Sequence, residues 1–138
     1  MPVAQERFGA DLGPYISNWS VLLALNSGTD SVLKKSLSKL NVHVEQLMSF
    51  VSVLARVEEG DVPDAIIIDK RLITAEAREL LRAMLKLCPS AAVVVLCENP
   101  KEDPEQLEAD IVFLSSRVST ENILFGMVEA RSLAMKRN

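Results

Sequence analysis

The chain has 138 residues, 49% of them apolar and 25% charged, with a net charge of −4. That length suits one domain with one sizeable core. The acidic balance argues against a nucleic-acid surface, which needs clustered cations, so no direct nucleic-acid contact is expected. No apolar run reaches the ~18 residues that a membrane span requires, and residues 1–10 lack the basic-then-apolar pattern of a secretory leader. Cys88 and Cys97 are the only cysteines. Two thiols in a chain with a good core do not suggest a disulfide scaffold, so a reducing, cytoplasmic setting is expected. His43 is the only histidine. A histidine-rich metal site and a histidine-based triad are therefore not expected. No catalytic residue is assigned.

Residues 1–19 differ from the rest. They hold the only tryptophan (Trp19) and the only tyrosine (Tyr15). Phe8, Leu12, Tyr15, Ile16 and Trp19 follow helical spacing, but Gly13-Pro14 interrupts it. The segment reads as an arm that lies on the domain or on a partner, with residues 20–138 as the domain itself.

An alternation then begins. Residues 21–25 are a continuous apolar run ending in Asn26-Ser27-Gly28-Thr29-Asp30, a strand followed by a turn. Leu33, Leu37 and Leu40 share one face of a helix over 31–40, which Asn41 ends. Residues 42–48 are a weaker strand, with Val42 and Val44 alternating. Phe50, Val53, Leu54 and Val57 mark a second helix, with Ser49 at its start and Gly60 at its end. Pro63-Asp64 leads into a third strand over 65–68. It is apolar throughout, as a parallel strand buried on both faces must be.

Thr74 can cap a third helix, whose stripe is Leu80, Leu81, Met84, Leu85 and Cys88, closed by Pro89. Residues 92–97 are a fourth buried strand. Residues 98–110 are polar, and Pro100 and Pro104 leave room for only about one helical turn at 105–108. Residues 111–114 are a fifth strand. Ser119 or Thr120 caps a last helix running to about residue 134.

Five strands alternating with helices define an α/β domain: a five-stranded parallel sheet covered on both faces, flavodoxin-like, with a shortened fourth helix. Ligands of such sheets bind outside the carboxyl ends of the strands. The residues expected there are Asn26, Asp69, Cys97, Glu98, Ser115, Ser116 and Arg117.

Residues 20–138 resemble the receiver domains of bacterial response regulators in element order and spacing. The motif that carries the resemblance is Pro63-Asp64-Ala65-Ile66-Ile67-Ile68-Asp69, which looks like the family's phospho-accepting strand with Asp69 at the acceptor position. The family's acidic pair after strand one, which holds magnesium, is matched here by Leu25 and Asn26. Its Ser or Thr after strand four is matched by Cys97, and its Lys-Pro after strand five by Ser116-Arg117. Phosphoryl transfer to a carboxylate brings two negative charges together, and a magnesium ion with a lysine offsets that in the family. Asp69 with Asn26 is a poor cage for an ion that prefers carboxylates. Arg117 presents a planar fork where the family has a point charge. The resemblance thus implies an atypical receiver, or pseudo-receiver, in two-component signalling. Asp69 then becomes a structural residue that caps a loop amide or pairs with Lys70 or Arg71. Magnesium enters only if Asp69 is phosphorylated; otherwise neither a metal nor a cofactor is expected.

The last helix offers a second site. Ile123, Met127, Ala130 and Ala134 form one stripe and Leu124, Val128 and Met135 a second, with Phe125 outside both. One reading is a broad core face. The other makes Leu124, Phe125, Val128 and Met135 a partner interface, because receiver domains commonly dimerise there and a curtailed fourth helix leaves that face less covered. The expected partners are a second copy of the chain, a protein partner or output domain, and a histidine kinase as phosphodonor. Two alternatives stay open: an active phospho-receiver using Asp69 with magnesium, and a small-ligand or flavin-binding domain in which Ser27–Ser31 cradles phosphate, against the repulsion of Asp30. Cys97 beside Glu98 reads as a structural thiol, since a neighbouring carboxylate discourages the thiolate.

Overall fold

The computed structural model describes residues 15–25, 29–60, 62–73, 77–98, 111–115, 117 and 119–137. The strands are β1 (Ser20–Ala24), β2 (His43–Gln46), β3 (Ala65–Asp69), β4 (Ala92–Cys97) and β5 (Val112–Ser115). The helices are α1 (Thr29–Lys39), α2 (Phe50–Glu58), α3 (Ala77–Leu87) and α4 (Thr120–Arg137). A 3-10 turn, Lys70–Leu72, follows β3. The strands form one parallel sheet in the order β2-β1-β3-β4-β5. This is the expected five-stranded α/β architecture, and its chain reversal falls between β1 and β3. The expected single turn at 105–108 lies outside the described residues, as do residues 1–14 of the arm, Thr74 and the side chains of Leu80 and Leu81.

Alternation along the strands sorts the core into two layers. Val21, Leu23, Ala65, Ile67, Ala92 and Val94 meet Leu33 and Leu37 of α1 and Ile123, Leu124, Met127 and Ala130 of α4. Leu22, Ala24, Ile66, Ile68, Val93 and Val95 meet Phe50, Val53 and Val57 of α2, Met84 of α3, and Cys88. Every residue of β3 and β4 is buried, which explains why these two strands show no polar alternation in the sequence. Edge strand β2 is half-exposed, and His43 on it is exposed.

Local signals set the element ends. Ser49 accepts the Ser52 N–H at 3.1 Å and starts α2. Gly60 follows α2 at φ 96°, a left-handed position that suits glycine. Asn41 stands at φ 63° after α1. Asn18, at φ 68°, faces it: the Asn18 N–H donates to the Asn41 carbonyl at 2.9 Å, and the Asn41 amide donates to Asn18 Oδ1 at 3.0 Å. Ser119, the first of the two expected caps, accepts the Asn122 N–H at 3.3 Å.

The described end of the arm is part of the domain. Ile16 is fully buried in the α1–α4 layer, and Trp19 packs against that layer. Trp19 also hands its carbonyl to the His43 N–H at 2.8 Å. The Arg131 guanidinium of α4 lies 5.5 Å from the Trp19 ring centre. The same guanidinium donates to the Asp64 carbonyl at 3.1 Å, while Asp64 Oδ2 accepts the Ser20 N–H at 2.8 Å. Asp64 thereby joins β1, β3 and α4 at the amino end of the sheet.

Gly126 lies on the face of α4 that packs against β5. A Cβ there would stand 2.7 Å from the Leu114 Cδ1. Gly126→Ala gains helix propensity and displaces only the tip of a half-buried leucine, so its stability should stay within about 1 kcal/mol of the parent. Ile67→Ala, which empties a fully buried site, should cost about 2–5 kcal/mol, whereas Val51→Ala on an exposed position should stay within about 0.5 kcal/mol. Urea denaturation of the three variants checks this ordering.

Candidate functional site

A sheet buried on both faces can present polar groups only where its strands stop. At the carboxyl edge β3 ends in Asp69, paired in register with Leu96, and the next rung pairs Cys97 with Ser115. Asp69 is the one buried charged residue among the described residues, at 6% exposure. It stands beside the β1–β3 reversal, where ligands of such sheets bind.

The chain that follows β3 curls back over this carboxylate. The Lys70–Leu72 turn brings the Arg71 N–H to 2.9 Å from Asp69 Oδ1, so Asp69 caps the turn. The Arg71 side chain then folds onto the same group. Its Nε donates to Oδ1 at 3.3 Å and its Nη2 to Oδ2 at 2.9 Å. The contact is a two-pronged arginine–carboxylate pair, which matches both oxygens at once. The expected structural roles of Asp69, capping a loop amide and pairing with Arg71, are both present.

Arg71 is held above its already high ordinary pKa, first by the hydrogen bond to Asp69 and then by the charges of Asp69 and, more weakly, Glu98. Its cationic form is what the fold stabilises. That contribution is present at every working pH and is lost only at extreme alkalinity, as the pH rises through the raised value. The Arg71 side chain is 68% exposed, while the Asp69 side chain is nearly enclosed. Solvent screening therefore weakens the pair, and its geometric effect on the buried carboxylate matters more than its contribution to stability.

The remaining expected residues take the following places. Leu25, at the first position of the family's acidic pair, is buried in the core. Asn26 and Ser116 lie outside the described residues, as do Ser27, Gly28 and the side chains of Asp30 and Ser31. Cys97 is buried and in no disulfide, and Glu98 is exposed. Arg117, the expected stand-in for the family's lysine, is exposed, and its N–H donates to Ser115 Oγ at 3.2 Å. Arg71, two residues along the same strand exit, places a cation on Asp69, because a turn this tight delivers its side chain back to the strand end.

On the last helix the residues separate. Ile123, Met127, Ala130 and Ala134 are all buried, as one of the two readings required. Leu124 is also buried, at 4% exposure, which corrects the expectation that it is poorly covered: it packs into the α1–α4 layer. Val128 is half-buried against that layer. Phe125 and Met135 keep 38% and 57% of their surface exposed.

Sequence reasoning missed the bridge from Asp64 to Ser20 and Arg131, and the Gly126 approach. No spacing signal announces either, because each depends on which elements the fold brings together.

A divalent cation at the carboxyl edge needs hard oxygen ligands with open lone pairs. Leu25 supplies none, and both Asp69 oxygens already accept from Arg71. Among the described residues no group of three or more His, Cys, Asp or Glu side chains comes together. The residues described here do not fit the magnesium site that the fold would carry. A cleft of about 260 Å³ exists at the opposite end, lined by Ser20, Glu45, Arg56, Gly60 and Pro63, with Glu45 and Arg56 paired at 2.8 Å. It is remote from the edge where a phosphate-cradling loop would act. No described helix is long and apolar enough to cross a membrane.

No family model and no curated protein matches this chain. Solved structures do. A CheY-like response regulator receiver domain protein from Methanospirillum hungatei superposes with a TM-score of 0.69 at 20% identity, over 88% of this chain and 100% of that one. The receiver domain of a sensor histidine kinase from Pseudomonas aeruginosa, with a magnesium ion coordinated in its active site cleft, gives 0.63 at 20% identity, over 82% and 99%. A structure described as an adenylate cyclase from Rhodopirellula baltica gives 0.69 at 19% identity, over 85% and 90%. At these identities the likeness concerns the fold: the chain has the flavodoxin-like receiver fold.

Replacing Asp69 tests its local role. Asp69→Ala should cost about 1–2 kcal/mol by removing the cap on the Arg71 N–H, and Asp69→Asn should recover most of that, since an amide oxygen still accepts. Equal urea midpoints for parent and both variants would contradict the capping role.

Proposed function

We propose that this chain is a receiver-like regulatory module that acts by protein–protein contact and does not depend on phosphorylation of Asp69. The observation that carries the reading is the two-pronged Arg71 pair on Asp69. An acceptor carboxylate must offer a lone pair to phosphorus while cations absorb the charge of the incoming phosphoryl group. Here the guanidinium occupies both oxygens, and Leu25 stands where the family has a metal-binding acid. The proposed setting is cytoplasmic two-component signalling, with a protein partner or output domain reading the module. Neither a catalytic step nor a cofactor belongs to the reading, and a histidine kinase is not required as a phosphodonor.

The proposed assembly is a homodimer through α4, centred on Phe125 and Met135, with Val128 at its margin. The support is that these two large apolar side chains remain exposed on the helix whose inner face is otherwise buried. A methionine at such a site adapts to its neighbour.

Incubation with acetyl phosphate and magnesium, followed by intact mass, should show no phosphoryl adduct on the parent protein. A stable adduct lost in Asp69→Asn would overturn phosphorylation independence and restore the active-receiver alternative. For the assembly, Phe125→Glu should give a folded monomer by light scattering, while Leu124→Glu should destabilise the fold itself by several kcal/mol, on the order of 3, since it buries an unpaired charge. A dimer that persists in Phe125→Glu and Met135→Glu removes α4 as the interface.

A further inference from the structure

We infer that Arg71 is a tethered counter-ion: its guanidinium takes the charge-neutralising place that a divalent cation would otherwise hold at Asp69, and so closes this carboxylate to metal. The inference rests on the reading that the module works without phosphorylation, and it names the residue responsible.

The argument is geometric. Asp69 ends a fully buried strand, and a buried carboxylate needs a cation or several donors to offset its lost hydration. Arg71 supplies a backbone N–H, Nε and Nη2 to it from one residue, at 2.9, 3.3 and 2.9 Å. A guanidinium bound in this way is a fixed, planar, always-charged ligand that needs no cation concentration to stay in place. Its tether is the Lys70–Leu72 turn, which Asp69 itself caps. The carboxylate thus builds the turn that delivers its own counter-ion. Glu98, at the exit of the neighbouring strand β4, adds a second negative charge that favours the arginine.

Removing the guanidinium takes from Asp69 the cation that holds both of its oxygens and leaves Glu98 at the neighbouring strand exit. Magnesium is commonly held by one or two carboxylates and retained waters, so a weak site should open. The experiment compares the parent, Arg71→Ala and Arg71→Ala/Asp69→Asn by thermal unfolding, in about 20 mM magnesium chloride and in sodium chloride of equal ionic strength. The parent and the double variant should show no difference between the two salts. Arg71→Ala should rise by about 3 °C or more in magnesium, the shift expected when ligand stands well above its dissociation constant. Calorimetric titration with magnesium should agree, with at least roughly tenfold tighter binding in Arg71→Ala than in the parent. Arg71→Gln keeps the length of the side chain without its charge and replaces Arg71→Ala if the latter does not fold.

A folded Arg71 variant with no magnesium-dependent rise overturns the counter-ion role and leaves phosphorylation independence standing. A rise that survives in the double variant also overturns it, because the ion would then bind elsewhere. A parent that binds magnesium as tightly as the variant overturns it too, and if that parent also accepts phosphate from acetyl phosphate, both readings fall together.

Discussion

The constraint on which this molecule depends is that a parallel sheet covered on both faces has no polar face. β3 and β4 lie at its centre, and every one of their residues is buried. Each apolar side chain removed from water there contributes on the order of 1.5–3 kcal/mol, and none can be exchanged for a charge without a partner. Chemistry is therefore confined to the strand ends. At the amino end, Asp64 ties Ser20 of β1 to Arg131 of α4. At the carboxyl end, Asp69 ties β3 to the turn that follows it. Two aspartates five residues apart, one just before β3 and one at its end, thus secure opposite rims of the same sheet, and only the second stands where the fold binds ligands.

The position of a carboxylate does not decide its chemistry; its donors do. An aspartate surrounded by water and a metal ion can act as a nucleophile, whereas one whose oxygens are held by a guanidinium has its lone pairs directed into hydrogen bonds. Arginine suits the second role because its fork matches the carboxylate plane and it carries its charge at every working pH. It is also covalently part of the chain, so the neutralising charge arrives with folding and not with a change in solution conditions. Under the proposed reading, a carboxylate neutralised internally suits constant recognition by a partner, and Phe125 and Met135, exposed on α4, are the surface proposed for it.

Much of the fold was legible because its signals are local. The uninterrupted apolar runs over 65–68 and 92–97 give buried parallel strands, and Ser49, Gly60, Asn41 and Ser119 set helix ends through contacts within a few residues. The errors in strand limits are single residues at most ends, where a rung is gained or lost to the loop. At the site, Asp69 was legible from its strand, and Arg71 as one of two neighbouring cations. What the sequence could not supply was the two-pronged geometry of the Arg71 contact, which depends on the turn after β3. Arg117 was the more obvious substitute by position, yet its backbone engages Ser115. Leu124 was misjudged for a related reason. Helical spacing places it beside the core stripe, and whether that flank is covered depends on how α4 seats on the sheet.

That seating has its own physical cause. Gly126 lets α4 approach β5 until a Cβ would meet Leu114. Leu124, two residues before Gly126, is buried in the α1–α4 layer. At about 100° of rotation per residue Met135 lies opposite Gly126 and Phe125 on the flank beside it, and both stay exposed. The same rotation places Arg131 one residue after buried Ala130, where it reaches Asp64 and lies over Trp19. The helix that carries the exposed apolar residues is therefore held at two points along its middle: by close packing at Gly126 and by a cation at Arg131. A surface held this way is presented in one orientation, which is the condition for recognition by rigid contact.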